Sequence, residues 1–229
     1  MLTGGVTVQG DYHDINQDSY AVYADKDACA IVVSDGLGSR PFSQDGSAAL
    51  CRAVTELIKN RSLLNMDAKR ICRMVYQKWL QLLDGRKVDE CCATALFCLL
   101  IQNEVQLFQL GDGLAGVLTA AGPMILFDDK STHFYNETDC LSSAFDGSQW
   151  RFLRLPAEEF RGALLCTDGV GIFPDTIEGF KQFTTDFIGG YDAMEINAII
   201  EDIRSWLFDW SGTDDKTIAF MISEEIVQK

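Results

Sequence analysis

Four acidic turns, each set against an apolar run, constrain this chain more than any other feature. They read Val32-Val33-Ser34-Asp35-Gly36, Leu110-Gly111-Asp112-Gly113, Leu165-Cys166-Thr167-Asp168-Gly169 and Thr213-Asp214-Asp215-Lys216-Thr217-Ile218. Asp35, Asp112 and Asp168 each end or interrupt a strand-like run and precede a glycine; Asp214 and Asp215 stand before one. A strand that delivers a carboxylate at its tip, with glycine letting the backbone turn, is a way to build a site for a hard cation. Gathering carboxylates needs compensation, because two unit charges about 4 Å apart repel by about 4 kcal/mol at an effective dielectric near 20. Such a site either protonates some of its carboxylates or binds cations, and the pattern favours cations. Taken singly, each Asp-Gly also reads as an ordinary turn.

The composition narrows the chemistry. With 229 residues, 47% of them hydrophobic and 23% charged, the chain is long enough for one sizeable core. No apolar run approaches the roughly 20 residues that span a bilayer, so no membrane partner is expected. Residues 1–13 have neither a basic start nor an apolar stretch, so no signal peptide is read there and the expected compartment is cytoplasmic. The eight cysteines form no CxxC pair and mostly lie inside apolar runs, which reads as free thiols. A net charge of −15 disfavours a nucleic-acid partner and is equally explained by solubility. His13 and His133 are the two histidines, and neither a GxSxG elbow nor a GxxxxGK phosphate loop is present. What remains is carboxylate chemistry.

Periodicity predicts strands at Ser19–Tyr23 and Ala28–Ser34, joined by the turn Ala24-Asp25-Lys26-Asp27. A helix follows with Ser43 as N-cap, then a second from about Asp67 to Leu83 that Gly85 would end. Ala93–Ile101, Val105–Leu110, Ala115–Thr119 and Met124–Phe127 read as a four-stranded antiparallel meander. Residues 129–150 are polar and irregular. Arg151–Leu155 and Ala163–Cys166 are strands, Asp192 begins a third helix with Glu195 as its capping-box partner, and Thr217–Ile222 is the last strand. No repeat or linker interrupts the chain, so residues 1–229 are expected to form a single domain of two packed antiparallel sheets with helices outside them.

In this order the motifs resemble the metal-dependent protein phosphatases of the type 2C family. Asp35-Gly36 is similar to that family's metal-bridging Asp-Gly, and Cys92-Ala93-Thr94-Ala95 sits where it has Gly-Ser-Thr-Ala. Gly111-Asp112-Gly113 is similar to its Gly-Asp-Ser, Thr167-Asp168-Gly169 to its later Asp-Gly, and Asp214-Asp215-Lys216-Thr217 to its closing Asp-Asn-x-Thr. Gly10-Asp11-Tyr12-His13 with Asn16-Gln17-Asp18 resembles the Gly-x-x-His … Gln-Asp opening of a bacterial branch, and Asn136-Glu137-Thr138 its flap region.

The resemblance implies an α+β fold, a four-layer α-β-β-α sandwich with the metal centre at one end. It implies a serine/threonine protein phosphatase that hydrolyses phosphoserine and phosphothreonine through a metal-activated bridging water, using two Mn²⁺ or Mg²⁺ ions with a possible third. Asp35 would bridge two metals, with the Gly36 carbonyl on one and Asp168 and Asp214 on the other. Asp112, with Asp168, would hold the third, and Asp18 would orient waters behind the ligands. Gln17 stands where familiar members have a metal-ligating Glu, and His13 where they have a phosphate-binding Arg. Neutral Gln offers one carbonyl oxygen, and His lacks the bidentate fork of Arg. The implied partners are phosphoproteins and a cognate serine/threonine kinase. Gln17 and His13 keep a second reading open, a catalytically weak or inactive phosphatase-like module that binds phosphoproteins or regulates a partner. A third is a phosphohydrolase of small molecules.

Overall fold

The computed structural model describes residues 1–127, 138–191 and 194–224. Ten strands form two five-stranded sheets in which every paired neighbour is antiparallel. The first sheet has β1 (Leu2–Val8), β10 (Lys216–Ile222), β9 (Phe160–Cys166), β6 (Leu114–Thr119) and β7 (Gly122–Leu126), in that order. The second has β2 (Ser19–Ala24), β3 (Ala28–Ser34), β4 (Ala95–Ile101), β5 (Glu104–Leu110) and β8 (Arg151–Pro156).

Alternation along the strands explains the layering. In β3, Cys29, Ile31 and Val33 point between the sheets, while Ala28, Ala30 and Val32 face the helices α1 (Ser43–Lys59) and α2 (Ala68–Leu82). In β10, Ala219 and Met221 point between the sheets, while Ile218, Phe220 and Ile222 face α3 (Ile177–Gly190) and α4 (Ile196–Asp209). Both faces of each central strand are covered, so these strands read as continuous apolar runs rather than as alternation. The result is the expected four-layer α-β-β-α sandwich.

Several local expectations need correction. The four successive strands are not one meander: β4 pairs β5 in one sheet and β6 pairs β7 in the other, so the chain changes sheets at Gly111-Asp112-Gly113. Gly111 and Gly113 take positive φ of 95° and 93°, which makes that crossing sharp. Ser43 is not the N-cap of α1. Phe42 occupies that position and makes no side-chain capping bond, while Ser43 is buried as the first helical residue. Asp67 does cap α2, accepting from the Arg70 N–H at 2.9 Å.

β1 and α3 escaped the sequence reading. Helix α3 contains Gly, Thr and Phe, all poor helix formers, but Phe180, Thr184, Phe187 and Ile188 recur on one face and Thr176 caps its start. Helix α4 begins at Ile196 with Glu195 at the N-cap making no side-chain bond; Asp192 lies outside the described residues. So do His133, Asn136 and Glu137. All eight cysteines are free, as expected. No helix among the described residues is long and apolar enough to cross a membrane.

Candidate metal centre

Strand register within each sheet, with the short crossing between sheets at Gly111-Asp112-Gly113, brings the acidic turns together. The end of β3 pairs with the start of β2 (Ser34↔Ser19), and the end of β9 pairs with the start of β10 (Cys166↔Ile218) and of β6 (Leu114). Asp18, Asp35, Asp112, Asp168 and Asp214 therefore all emerge at the same end of the sandwich.

Four of these carboxylates interact. Asp35 is pushed well above the usual carboxylate range by burial first, and then by the charges of Asp18, Asp168 and Asp214. Asp18, 6% exposed, is raised to about 7, again chiefly by burial; hydrogen bonds from Thr167 and Thr217 oppose the rise and the charge of Asp215 adds to it. Thr167 Oγ1 donates to Asp18 Oδ2 at 2.7 Å, whereas Asp18 Oδ1 is buried and has no hydrogen-bond partner. Asp168 and Asp214 are exposed at the rim, so the group grades from buried to open. Among the described residues, no group of three or more His, Cys, Asp or Glu side chains is placed so that it could hold a metal ion. The donor set nonetheless fits a hard cation: all oxygen, clustered like charges, and one buried carboxylate oxygen left orphaned.

The supports are specific. The Asp35 N–H donates to Thr94 Oγ1 at 2.9 Å, the Thr94 N–H returns to the Asp35 carbonyl at 2.8 Å, and Ser34 Oγ donates to the Thr94 carbonyl at 2.6 Å. Thr94 is buried and fixes the backbone that aims Asp35. At Gly36 an added Cβ would stand 2.6 Å from the Ser43 backbone, so only glycine lets α1 approach this turn. At Gly169 it would lie 1.9 Å from the Asp215 carbonyl oxygen, which presses the Asp168 turn onto the Asp214 turn.

Asp215 turns inward. Its Oδ1 accepts from the Gly10 N–H at 2.9 Å and its Oδ2 from the Gln17 N–H at 2.7 Å. It thus clasps the opening loop, which carries His13, Gln17 and Asp18, to the closing turn that carries Asp214. Gln17 is further held through its carbonyl, which accepts from the Gly36 N–H at 3.1 Å and Ser47 Oγ at 2.6 Å. Its side chain, with that of His13, faces Gly38 in the loop after Asp35. His13 also packs edge-on to Tyr12. Asp112 Oδ2 accepts from Thr138 Oγ1 at 3.0 Å. Sequence reasoning missed the roles of Thr167 and of the Thr94 hydroxyl. The available signal was a lone threonine at the edge of each apolar run.

The protein phosphatase 2C family profile matches residues 11–207. The chain belongs to that family. Among solved structures, this phosphatase 2C chain is similar to a bacterial serine phosphatase at 14% identity and a TM-score of 0.69, covering 95% of this chain and 96% of that one. It is similar to the serine/threonine phosphatase Stp1 from Staphylococcus aureus at 14% identity and a TM-score of 0.68, covering 98% and 96%. It is also similar to the catalytic domain of the serine/threonine protein phosphatase PstP, solved with two manganese ions, at 15% identity and a TM-score of 0.61, covering 95% and 96%. At these identities the likeness carries the fold. No curated protein sequence matches the chain significantly.

Proposed function

We propose that this phosphatase 2C chain is a metal-dependent serine/threonine protein phosphatase, formed as one domain and working in the cytoplasm on phosphoserine and phosphothreonine proteins. The observation that carries this reading is the mutual interaction of Asp18, Asp35, Asp168 and Asp214 at one end of the sandwich. Phosphate esters hydrolyse very slowly unaided, and two bound divalent ions would screen the phosphate charge and make water acidic enough to attack near neutral pH.

The chain's own residues supply the rest. Asp35 and the Gly36 carbonyl, with Asp168 and Asp214, are the proposed ligands of two Mn²⁺ or Mg²⁺ ions, and Asp112 with Asp168 of a third. Asp18, braced by Thr167, would hold ligand geometry from behind. The manganese in PstP supports Mn²⁺ as the first ion to try. A cognate kinase would supply the substrate's phosphoryl group.

Gln17 and His13 favour a second reading, a module that binds phosphoproteins without turnover. The stressosome phosphatase-fold neighbour, 14% identical with a TM-score of 0.65, comes from a signalling assembly and keeps a regulatory partner in view. Phosphate release from a phosphothreonine peptide with Mn²⁺, Mg²⁺ or EDTA, beside Asp35→Asn and Asp168→Asn, tests the first reading. Metal-dependent release lost in both variants supports it. A folded protein that binds the peptide and releases nothing at millimolar Mn²⁺ favours the second. A clear preference for small phosphate esters over peptides would move the substrate class away from proteins.

A further inference from the structure

Beside the carboxylate group lies an open cleft of about 360 Å³, lined among others by His13, Asp14, Gln17, Gly38, Arg40 and Gln44. It joins the opening loop to the segment that links Asp35-Gly36 to the start of α1. Arg40 and His13 are the basic side chains in this lining, in a chain whose net charge is −15.

After the hydrogen bonds from Ser143, the charge of Arg40 helps to lower the Asp89 carboxyl, but no close pair holds the guanidinium. Arg40 is exposed and forms no ion pair among the described residues. The acids that flank this loop are engaged elsewhere. Asp45 pairs with Arg86 at 3.0 Å, Glu90 pairs with Lys87 at 2.9 Å, and the Asp89 carboxylate accepts from the Ser143 N–H and Oγ at 2.9 and 2.7 Å. Asp14 is the one acid in the cleft lining.

The backbone fixes where Arg40 stands. Its N–H donates to the Leu37 carbonyl at 2.8 Å, closing a turn directly after Asp35-Gly36, and its carbonyl accepts from the Ser43 N–H at 3.4 Å. Leu37 in turn donates to the Cys92 carbonyl at 3.0 Å. Arg40 thus stands on a pinned turn shortly after Asp35-Gly36, in the lining of the cleft, rather than on a loose loop. The planar fork of an arginine matches two phosphoryl oxygens.

We propose that Arg40, assisted by His13, is the side chain that captures the phosphoryl group of the substrate and guides it towards Asp35. This supplies from the loop after Asp35 the bidentate recognition that His13 cannot give. It rests on the phosphatase reading of the same site, and its substrate is a phosphoserine or phosphothreonine dianion.

The test separates the two claims. Calorimetry with Mn²⁺ present measures binding of a phosphothreonine peptide and of inorganic phosphate to the wild-type chain, Arg40→Ala, Arg40→Lys and the distant control Lys26→Ala. None of these measurements requires turnover. Loss of a charge-assisted bidentate contact should weaken both ligands by about tenfold in Arg40→Ala and by less in Arg40→Lys. Manganese affinity and melting temperature should stay at wild-type values in all variants. Where release is measurable, KM should rise more than kcat falls. Phosphate and peptide affinities within about twofold of wild type in Arg40→Ala would overturn the proposal, since tenfold is the effect expected of such a contact. If wild-type release is absent yet peptide binding falls in Arg40→Ala, the capture role stands and the hydrolase reading fails.

Discussion

Replacing Asp215 with alanine should loosen the site without touching any proposed metal ligand. The Asp215 carboxylate is 4% exposed and accepts from two main-chain N–H groups, Gly10 at 2.9 Å and Gln17 at 2.7 Å. Hydrogen bonds to an ionised group contribute about 1.5–3 kcal/mol each, so losing both removes about 3–6 kcal/mol. One effect runs the other way: Asp215 raises buried Asp18 by like-charge repulsion, and its removal relieves that repulsion. That relief trims the sum, leaving a net loss of about 2–5 kcal/mol. For a chain of this size each kcal/mol moves the melting temperature by about 2–4 °C, so a fall of about 10 °C is expected. Asp215→Asn keeps one acceptor and turns an amide donor towards the other N–H, so its loss should be about half as large. Differential scanning calorimetry of the metal-free proteins reads the stability. A Mn²⁺ titration reads the second consequence, weaker metal affinity, because the clasp aligns Asp18 with Asp214. A melting temperature within about 2 °C of wild type in Asp215→Ala would refute the clasp, since even its lower bound predicts more.

Other consequences are equally direct. Thr94→Val removes the acceptor of the Asp35 N–H and should destabilise by about 1–3 kcal/mol in urea unfolding while lowering phosphate release. Gly169→Ala drives a Cβ into the Asp215 carbonyl oxygen, and a backbone shift there should abolish release even in preparations whose circular dichroism is native. The pH dependence of metal-free stability has a defined sign. Asp18 is raised from its ordinary value to about 7 and Asp35 is raised too, so between about pH 4 and 7 the folded state holds more protons than the unfolded chain. Stability should fall as pH rises through that window, and stabilisation by Mn²⁺ should be larger at pH 8 than at pH 5, as thermal shift in matched buffers would show.

The parts of this architecture that local sequence determines were legible from it. The Asp-Gly turns mark strand ends because each follows a largely apolar, strand-like run, and Asp67 announces α2 because a carboxylate at that position satisfies a free N–H. The sheet change at Gly111-Asp112-Gly113 was not legible, since an antiparallel neighbour in the same sheet and one in the facing sheet need the same alternation along the strand. Helix α3 was obscured by its Gly, Thr and Phe content, which packing against β6, β7 and β9 overrides. The site's proposed ligands were readable one by one as acidic turns. Their supports were not: Thr94, Thr167 and Asp215 act across 59, 149 and up to 205 residues of chain, separations that no local pattern encodes.

Isothermal titration of the folded, metal-free chain with Mn²⁺ at pH 7.5 tests most directly whether the carboxylates at the end of the sandwich form a divalent-metal centre. Saturable binding of two ions, proton release on binding, and loss of that binding in Asp35→Asn are expected. A folded chain that takes up no Mn²⁺ at millimolar concentration, or an Asp35→Asn variant that binds as the wild type does, would contradict a metal centre there.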